Sequence, residues 1–297
     1  MISVIVPLFN KETAILATLS SIQGQSFKDW ECLIIDDGST DEGANVVQDF
    51  IKDDARFVYY YKHNGGPSSA RNYGVKKAKY DWVIFLDADD RFEEGAFAIF
   101  AALQQQHSAI KMFCCNFYVE RDGKRTLYSQ NYSDGIIKNN FKSWYEGTLM
   151  PCQGAAMYQK LLLINHPLDE RLRRFEDASM LFDIMRTEMI YRCSQPSFTY
   201  VRENSSASGI RKDFQEDFFA HLQPKGKPFW EQMILYQYYK ASFTLYGEQA
   251  RKTYPHSPFY PIMELAIKGM LNWLKIKRRI IKLFANDNIS HKELFKS

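Results

Sequence analysis

The segment Asp87-Ala88-Asp89-Asp90 places three carboxylates within four residues. Charges of one sign this close repel unless a cation lies among them. A hard divalent ion such as Mg²⁺ or Mn²⁺ takes one or two protein carboxylates and fills its other positions with phosphate oxygens and water, so the cluster predicts a metal-diphosphate site. The plainer alternative is a solvated acidic turn that caps the following helix. Two more polar clusters, Phe9-Asn10-Lys11-Glu12 and Asp36-Asp37-Gly38-Ser39, follow apolar runs in the same way. In open α/β sheets the carboxyl ends of the strands are where ligands bind. A further segment, Gly65 to Asn72, is a glycine turn feeding a helix, whose amides, with Arg71 one turn in, could face a phosphate.

The elements that must position these residues are legible from periodicity. Ser3 to Phe9, Trp30 to Ile35, Arg56 to Tyr61 and Trp82 to Leu86 are short runs; the first, second and fourth are apolar on both faces. Between them lie amphipathic segments, with Asn10 placed as an N-cap and Ser39 and Glu42 spaced as a capping box. Strands buried on both faces and alternating with helices predict a parallel sheet covered on both sides. From Ile110 the pattern becomes mixed, with Arg121-Asp122-Gly123-Lys124 as a hairpin turn and a helix from Ala178 to Met189; after about Arg211 only helical patterns remain. No internal repeat is present.

Composition removes several classes. Hydrophobic residues make up 45% and charged residues 25%, as in a globular protein, and a net charge of +3 gives no reason to expect nucleic acid. The five cysteines form no CxxC pair, which fits a reducing cytoplasm rather than a disulfide framework or a zinc ribbon. Neither a signal peptide nor a run of about 18 apolar residues is found, so the expectation is a cytoplasmic chain without membrane spans. GxGxxG, GxxxxGK[ST] and GxSxG are all missing, against dinucleotide enzymes, P-loop enzymes and α/β-hydrolases.

These motifs, in this order, resemble glycosyltransferase family 2, the inverting enzymes of the GT-A fold. The resemblance runs through Ser3-Val4-Ile5-Val6-Pro7-Leu8-Phe9-Asn10-Lys11-Glu12, Ile34 to Asp41, Asn64-Gly65-Gly66, Ala70 to Gly74 and Ile84 to Asp90. It implies an α/β fold: a GT-A, Rossmann-like, mostly parallel sheet flanked by helices, with a mixed acceptor-side half and a helical C-terminal extension. The implied division is a catalytic domain over 1–210, with its nucleotide-sugar half at about 1–110 and its acceptor half at about 111–210, and an extension over 211–297. By resemblance, Pro7, Phe9, Asn10 and Glu12 wall the nucleotide, Asp37 accepts from a uracil ring, Arg71 lies near the base or diphosphate, Asp87 contacts the ribose or donor sugar, and Asp89 binds Mn²⁺ or Mg²⁺. Arg174-Phe175-Glu176-Asp177 is similar to the motif that supplies the family's catalytic base, a role the resemblance gives to Asp177. Inverting transfer needs a carboxylate on the acceptor side to take the hydroxyl proton. Asp177 is expected to do so with no unusual pKa. Gly154-Ala155-Ala156 falls at the acceptor wall and Arg202 to Ser206 at a loop over the donor; Trp144 and Tyr145 are acceptor candidates.

The resemblance thus implies transfer of one sugar from a nucleotide sugar, a UDP-sugar by family expectation, to a glycan or lipid-linked glycan in cell-surface polysaccharide synthesis. From Leu265 to Phe284 six basic residues occur with no acid, and as a helix Lys268, Lys275, Arg279 and Lys282 share one face. Such a segment suits a membrane interface. It equally suits a helix packed on the protein with its charges in water; lipid-linked acceptors favour the membrane, giving a peripheral place at the inner face. Two rivals stand beside this reading. A haloacid-dehalogenase-type phosphohydrolase shares the strand followed by Asp-x-Asp, although that motif usually opens the fold. The other rival is a non-catalytic nucleotide-binding relative.

Overall fold

The computed structural model describes residues 1–202, 213–221 and 227–253. The chain begins β1 (Ile2–Leu8), α1 (Ile15–Gln23), β2 (Trp30–Asp36), α2 (Gly43–Ile51), β3 (Phe57–Tyr61), α3 (Pro67–Lys77) and β4 (Trp82–Phe85). There follow β5 (Arg91–Phe92), α4 (Ala96–Gln106), the hairpin β6 (Met112–Arg121) and β7 (Lys124–Leu127), β8 (Gly135–Ile136) and α5 (Asn140–Tyr145). The rest comprises β9 (Ala156–Gln159), α6 (Lys160–Asn165), α7 (Glu176–Thr187), β10 (Ile190–Val201), two 3₁₀ turns within 214–221, α8 (Phe229–Tyr246) and α9 (Glu248–Thr253).

Among the described residues the strands form one sheet in the order β3-β2-β1-β4-β9-β6-β10-β5. Strands β1 to β4 are mutually parallel. β9 runs antiparallel to both β4 and β6, and marks the change from the first half to the mixed second half. The α/β expectation therefore holds, and the Asp-x-Asp segment follows the fourth strand, not the first.

The strands' two-faced apolar pattern produces two cores. Ile5, Leu33, Ile35, Val83 and Phe85 face one layer, with residues of α3, α6, α7 and α8. Val4, Val6, Cys32, Ile34 and Ile84 face the other, against α1, α2 and α4. Each fully buried aliphatic side chain contributes about 1.5–3 kcal/mol, so both faces have to be covered. Gly74 on α3 lets that helix lie against β1, because a Cβ there would run into Ile5. Phe218, Ile234 and Leu235, from beyond residue 213, belong to the same core as Ile5 and Phe85.

Two capping expectations are corrected. Ala14, not Asn10, precedes α1, and Asn10 takes a left-handed φ of 52°. Neither Ser39 nor Glu42 caps α2 through its side chain; Ser39 Oγ accepts from the Asn10 amide instead. No helix of the described residues is long and apolar enough to cross a membrane. The basic segment 265–284 and residues 203–206 lie outside the described residues.

Candidate active site

The loops after β1 and β2 are laced together. Thr40 N donates to Asn10 Oδ1 at 2.8 Å, Glu42 N to Glu12 Oε2 at 2.9 Å and Glu12 N to Asp41 Oδ2 at 2.9 Å. Asn10 and Glu12 thus stand at the carboxyl edge of the sheet because they close two loops on each other. Pro7 pairs with Ile35 just beneath, and Phe9 is 48% exposed above it.

Asp37 is buried and accepts from Lys62 Nζ at 2.5 Å, Gly65 N at 2.9 Å and Gly66 N at 2.6 Å. For Gly65 and Gly66 this corrects the expectation of the glycine turn: their two amides are bound to Asp37 rather than free to face a phosphate. Gly66 has φ 84° and Arg173 packs against it, so a side chain there would meet both a backbone penalty and a clash.

The three acids after β4 find three different environments. Asp87 accepts from Arg71 Nη2 at 2.6 Å, and Asp89 from Lys11 Nζ at 2.5 Å. Asp90 turns inward, where its carboxylate accepts from Val201 N at 2.8 Å; burial and then the charge of Asp87 push its pKa well above the usual carboxylate range. Thr18 Oγ1 fixes the turn by donating to the carbonyls of Ala88 and Asp90. Protein cations and burial therefore relieve much of the repulsion that the sequence reading assigned to a metal alone. The residues nonetheless suit Mn²⁺ or Mg²⁺: Asp87 and Asp89 offer hard oxygens with side chains 35% and 30% exposed. Among the described residues no group of three or more potential ligands gathers, so such an ion would rest on one or two carboxylates and phosphate oxygens.

Arg71 joins this turn to the opposite wall. Its guanidinium, 5% exposed, reaches Asp87 on one side and Glu176 Oε1 at 3.4 Å on the other. Burial works against its charge, but Asp87 and Glu176 outweigh that and hold it protonated. Asp177 lies next to this cluster and forms no salt bridge among the described residues. The expectation of an ordinary pKa is corrected here. Burial, then the charge of Glu176, raises the Asp177 carboxyl to about 7, although Arg71 pulls the other way.

The acidic pair is held by long-range contacts that no local spacing in the sequence encodes. Asn72, one residue after Arg71, donates to Leu168 O and Glu170 Oε1 at 2.9 and 3.0 Å and accepts from Leu168 N, tying α3 to the loop that precedes α7. Arg174 forms a buried ion pair with Asp217 at 2.5 Å, and Ser242 of α8 bonds both partners. Phe218 N donates to Arg174 O, and Arg173 N to Glu216 O. Between this clamp and α7 sits Phe175, with a left-handed φ of 56°. That conformation costs a side-chain-bearing residue about 1–2 kcal/mol, offset here by the Tyr238 ring at 4.7 Å and the Arg174 guanidinium at 4.0 Å. Glu176 and Asp177 then form the first turn of α7. No periodicity connects positions 174, 217 and 242, so only the fold discloses the clamp.

A sheet with the order 3-2-1-4 at its parallel end, continued by antiparallel β9 and covered by helices on both faces, is a GT-A architecture. The sequence model described as glycosyl transferase family 2 matches residues 3–166, more than half of the chain, and the chain belongs to that family. It is a glycosyltransferase, and the phosphohydrolase reading falls away. It is 28% identical over 75% of its length to GalNAc(5)-diNAcBac-PP-undecaprenol beta-1,3-glucosyltransferase of Campylobacter jejuni, covering 72% of that protein. It is 27% identical to putative glycosyltransferase EpsH of Bacillus subtilis over 61% of this chain and 54% of that one. The fold is similar to S. aureus TarS bound to UDP-GlcNAc, with a TM-score of 0.62, 20% identity and coverage of 84% of this chain and 69% of that chain. A second TarS structure, in complex with UDP, gives 0.59, 22% identity and 68% of this chain, which spans 60% of that one. The chain spans only 27% and 30% of two uncharacterised Rickettsia glycosyltransferases that it also matches.

Proposed function

We propose that the chain transfers one sugar per encounter from a UDP-linked donor to a hydroxyl of a lipid-linked glycan, inverting the anomeric carbon, in cell-surface polysaccharide synthesis. The observation that carries this is Arg71, whose single guanidinium touches Asp87 on the donor side and Glu176 beside Asp177 on the other. The TarS structures with UDP and UDP-GlcNAc support the donor class, and the undecaprenol-linked name of the Campylobacter relative supports the acceptor class. A lipid-linked acceptor also favours work in the cytoplasm at the inner membrane face.

Pro7, Phe9, Asn10 and Glu12 would wall the nucleotide. Asp37 has about one acceptor position left beyond its three donors, enough for one ring N–H. Asp89, with Asp87 beside it, would hold Mn²⁺ or Mg²⁺, which supplies charge stabilisation for the departing diphosphate. Arg71 adds fixed positive charge close to the same place. As the acceptor oxygen bonds to the anomeric carbon, the bond from that carbon to the diphosphate oxygen breaks and its electron pair leaves with UDP. Asp177 takes the hydroxyl proton. A base with a pKa near 7 is matched to working near neutral pH.

The test is UDP release from a panel of nucleotide sugars with Mn²⁺, with Mg²⁺ and with chelator. One UDP-sugar should be turned over, and chelator should abolish release. Turnover of none, or turnover indifferent to chelator, would contradict the proposal.

A further inference from the structure

A cavity of about 420 Å³ opens between α5 and α8 beside the acidic pair, lined chiefly by Tyr128, Trp144, Tyr145, Phe175, Gln237 and Tyr238. One of the lining residues, Phe175, stands directly before Glu176 and Asp177. Phe175 packs edge-on against Tyr238, and Tyr238 against Trp144 at 6.0 Å, so the rings form one rigid wall from α7 to α5. Tyr145 leans on Trp230 and stays 38% exposed at the rim, and Gln237 is exposed on the facing helix. Trp144, itself in the lining, is buried and packs on Phe182 and Tyr238, which holds that side of the wall in place.

This lining is selective. A pyranose offers flat C–H faces that pack on aromatic rings and a belt of hydroxyls that pair with polar groups, and the lining holds both kinds of residue, aromatic rings together with Gln237 and three tyrosines. The volume falls in the range of small-molecule sites, and an apolar wall with a few placed polar groups is how such sites fix orientation. An isoprenoid or acyl chain would gain nothing from those hydroxyls and amide. Phe175, which lines the cavity and directly precedes Glu176 and Asp177, ties the occupant to the acidic pair. Burial, then the charge of Asp177, raises the Tyr238 hydroxyl, so ring wall and acid share one environment.

We infer that this cavity is the acceptor saccharide site, and that α8 carries specificity residues for the pyranose whose hydroxyl attacks. The inference rests on the transferase reading above and deepens it. The helix lies beyond residues 3–166, where the family match ends. The Arg174–Asp217–Ser242 clamp ties α8 to the start of α7, so pocket and acid move as one unit.

The experiment is saturation-transfer NMR on the full chain with UDP and Mn²⁺, using methyl pyranosides of glucose, galactose and their 2-acetamido forms as probes. At least one should bind wild type. Losing one hydrogen bond or one ring face, at about 1 kcal/mol each, should weaken it about fivefold or more in Gln237→Ala and Tyr145→Ala. Tyr238→Phe, which keeps the packing, isolates the hydroxyl. UDP affinity in the same samples should stay within about twofold of wild type. Normal UDP binding with pyranoside signals that are absent, or indifferent to all three variants, would overturn the inference. Loss of UDP binding by wild type would instead overturn the transferase reading beneath it.

Discussion

Arg71 and Glu176 lie 105 positions apart in the chain, yet their side chains meet at 3.4 Å. The contact crosses from α3, beside the parallel strands, to the start of α7, and the other nitrogen of the same guanidinium holds Asp87 at 2.6 Å. Removing this buried cation should therefore do two things at once. Arg71→Met leaves two carboxylates without a counter-charge and should cost about 3–5 kcal/mol of stability. Arg71→Lys keeps one charge but cannot fork to both acids. Its melting temperature should fall less, while UDP-sugar turnover falls by at least about tenfold. Denaturant melts and turnover on the same samples check both.

Asp177 sets a pH dependence whose sign can be worked out. Its pKa is raised in the folded chain, to about 7 from an ordinary value of 3.8, so the native state binds the proton more tightly than the unfolded state. Stability from this group is present below about pH 4 and is lost as pH rises toward 7. Asp177→Asn should accordingly stabilise the fold at pH 8, by about 1–3 kcal/mol after allowance for its partial exposure, and change little at pH 4. Catalysis runs the other way, because only the ionised acid accepts a proton. Wild-type kcat/KM should climb with pH and level off above about 7.

The Arg174–Asp217 pair predicts a non-additive result. Asp217→Ala strands a buried guanidinium and should cost about 3–5 kcal/mol, whereas Arg174→Met added to it removes the stranded charge and should restore part of the loss. Thermal melts of the two single variants and the double variant decide this. A double variant at the sum of the singles would show that the pair is not coupled.

Asp89→Ala should lower Mn²⁺-dependent UDP affinity by about tenfold or more while leaving metal-free affinity near wild type. Titration calorimetry with and without chelator separates the two. Equal losses in both conditions would assign Asp89 to the nucleotide instead of the ion.

How much of this was legible follows from the range of each interaction. The first, second and fourth strands are readable because Val4 and Ile5, or Ile34 and Ile35, must each find a different core, which forces apolar residues at successive positions. Asn10 was misread as a cap because its true partner, Thr40 N, is 30 positions away and no local spacing encodes it. The amides of Gly65 and Gly66 escape a local reading for the same reason, being bound by Asp37 some 28 positions earlier. Asp177 stands in the first turn of α7, yet its raised pKa depends on burial, on Glu176 and on Arg71 of α3, which come together only with the fold. The clamp around Phe175 left no trace in the sequence, since Arg174, Asp217 and Ser242 carry no shared motif.

The central claim is that Asp177 removes the acceptor proton while the donor is held elsewhere. It is tested most directly by comparing Asp177→Asn with wild type for single-turnover sugar transfer, with UDP affinity measured on the same preparations. The account predicts a rate lower by about 10²-fold or more at unchanged UDP affinity. Transfer at a near-normal rate by the asparagine variant would contradict it.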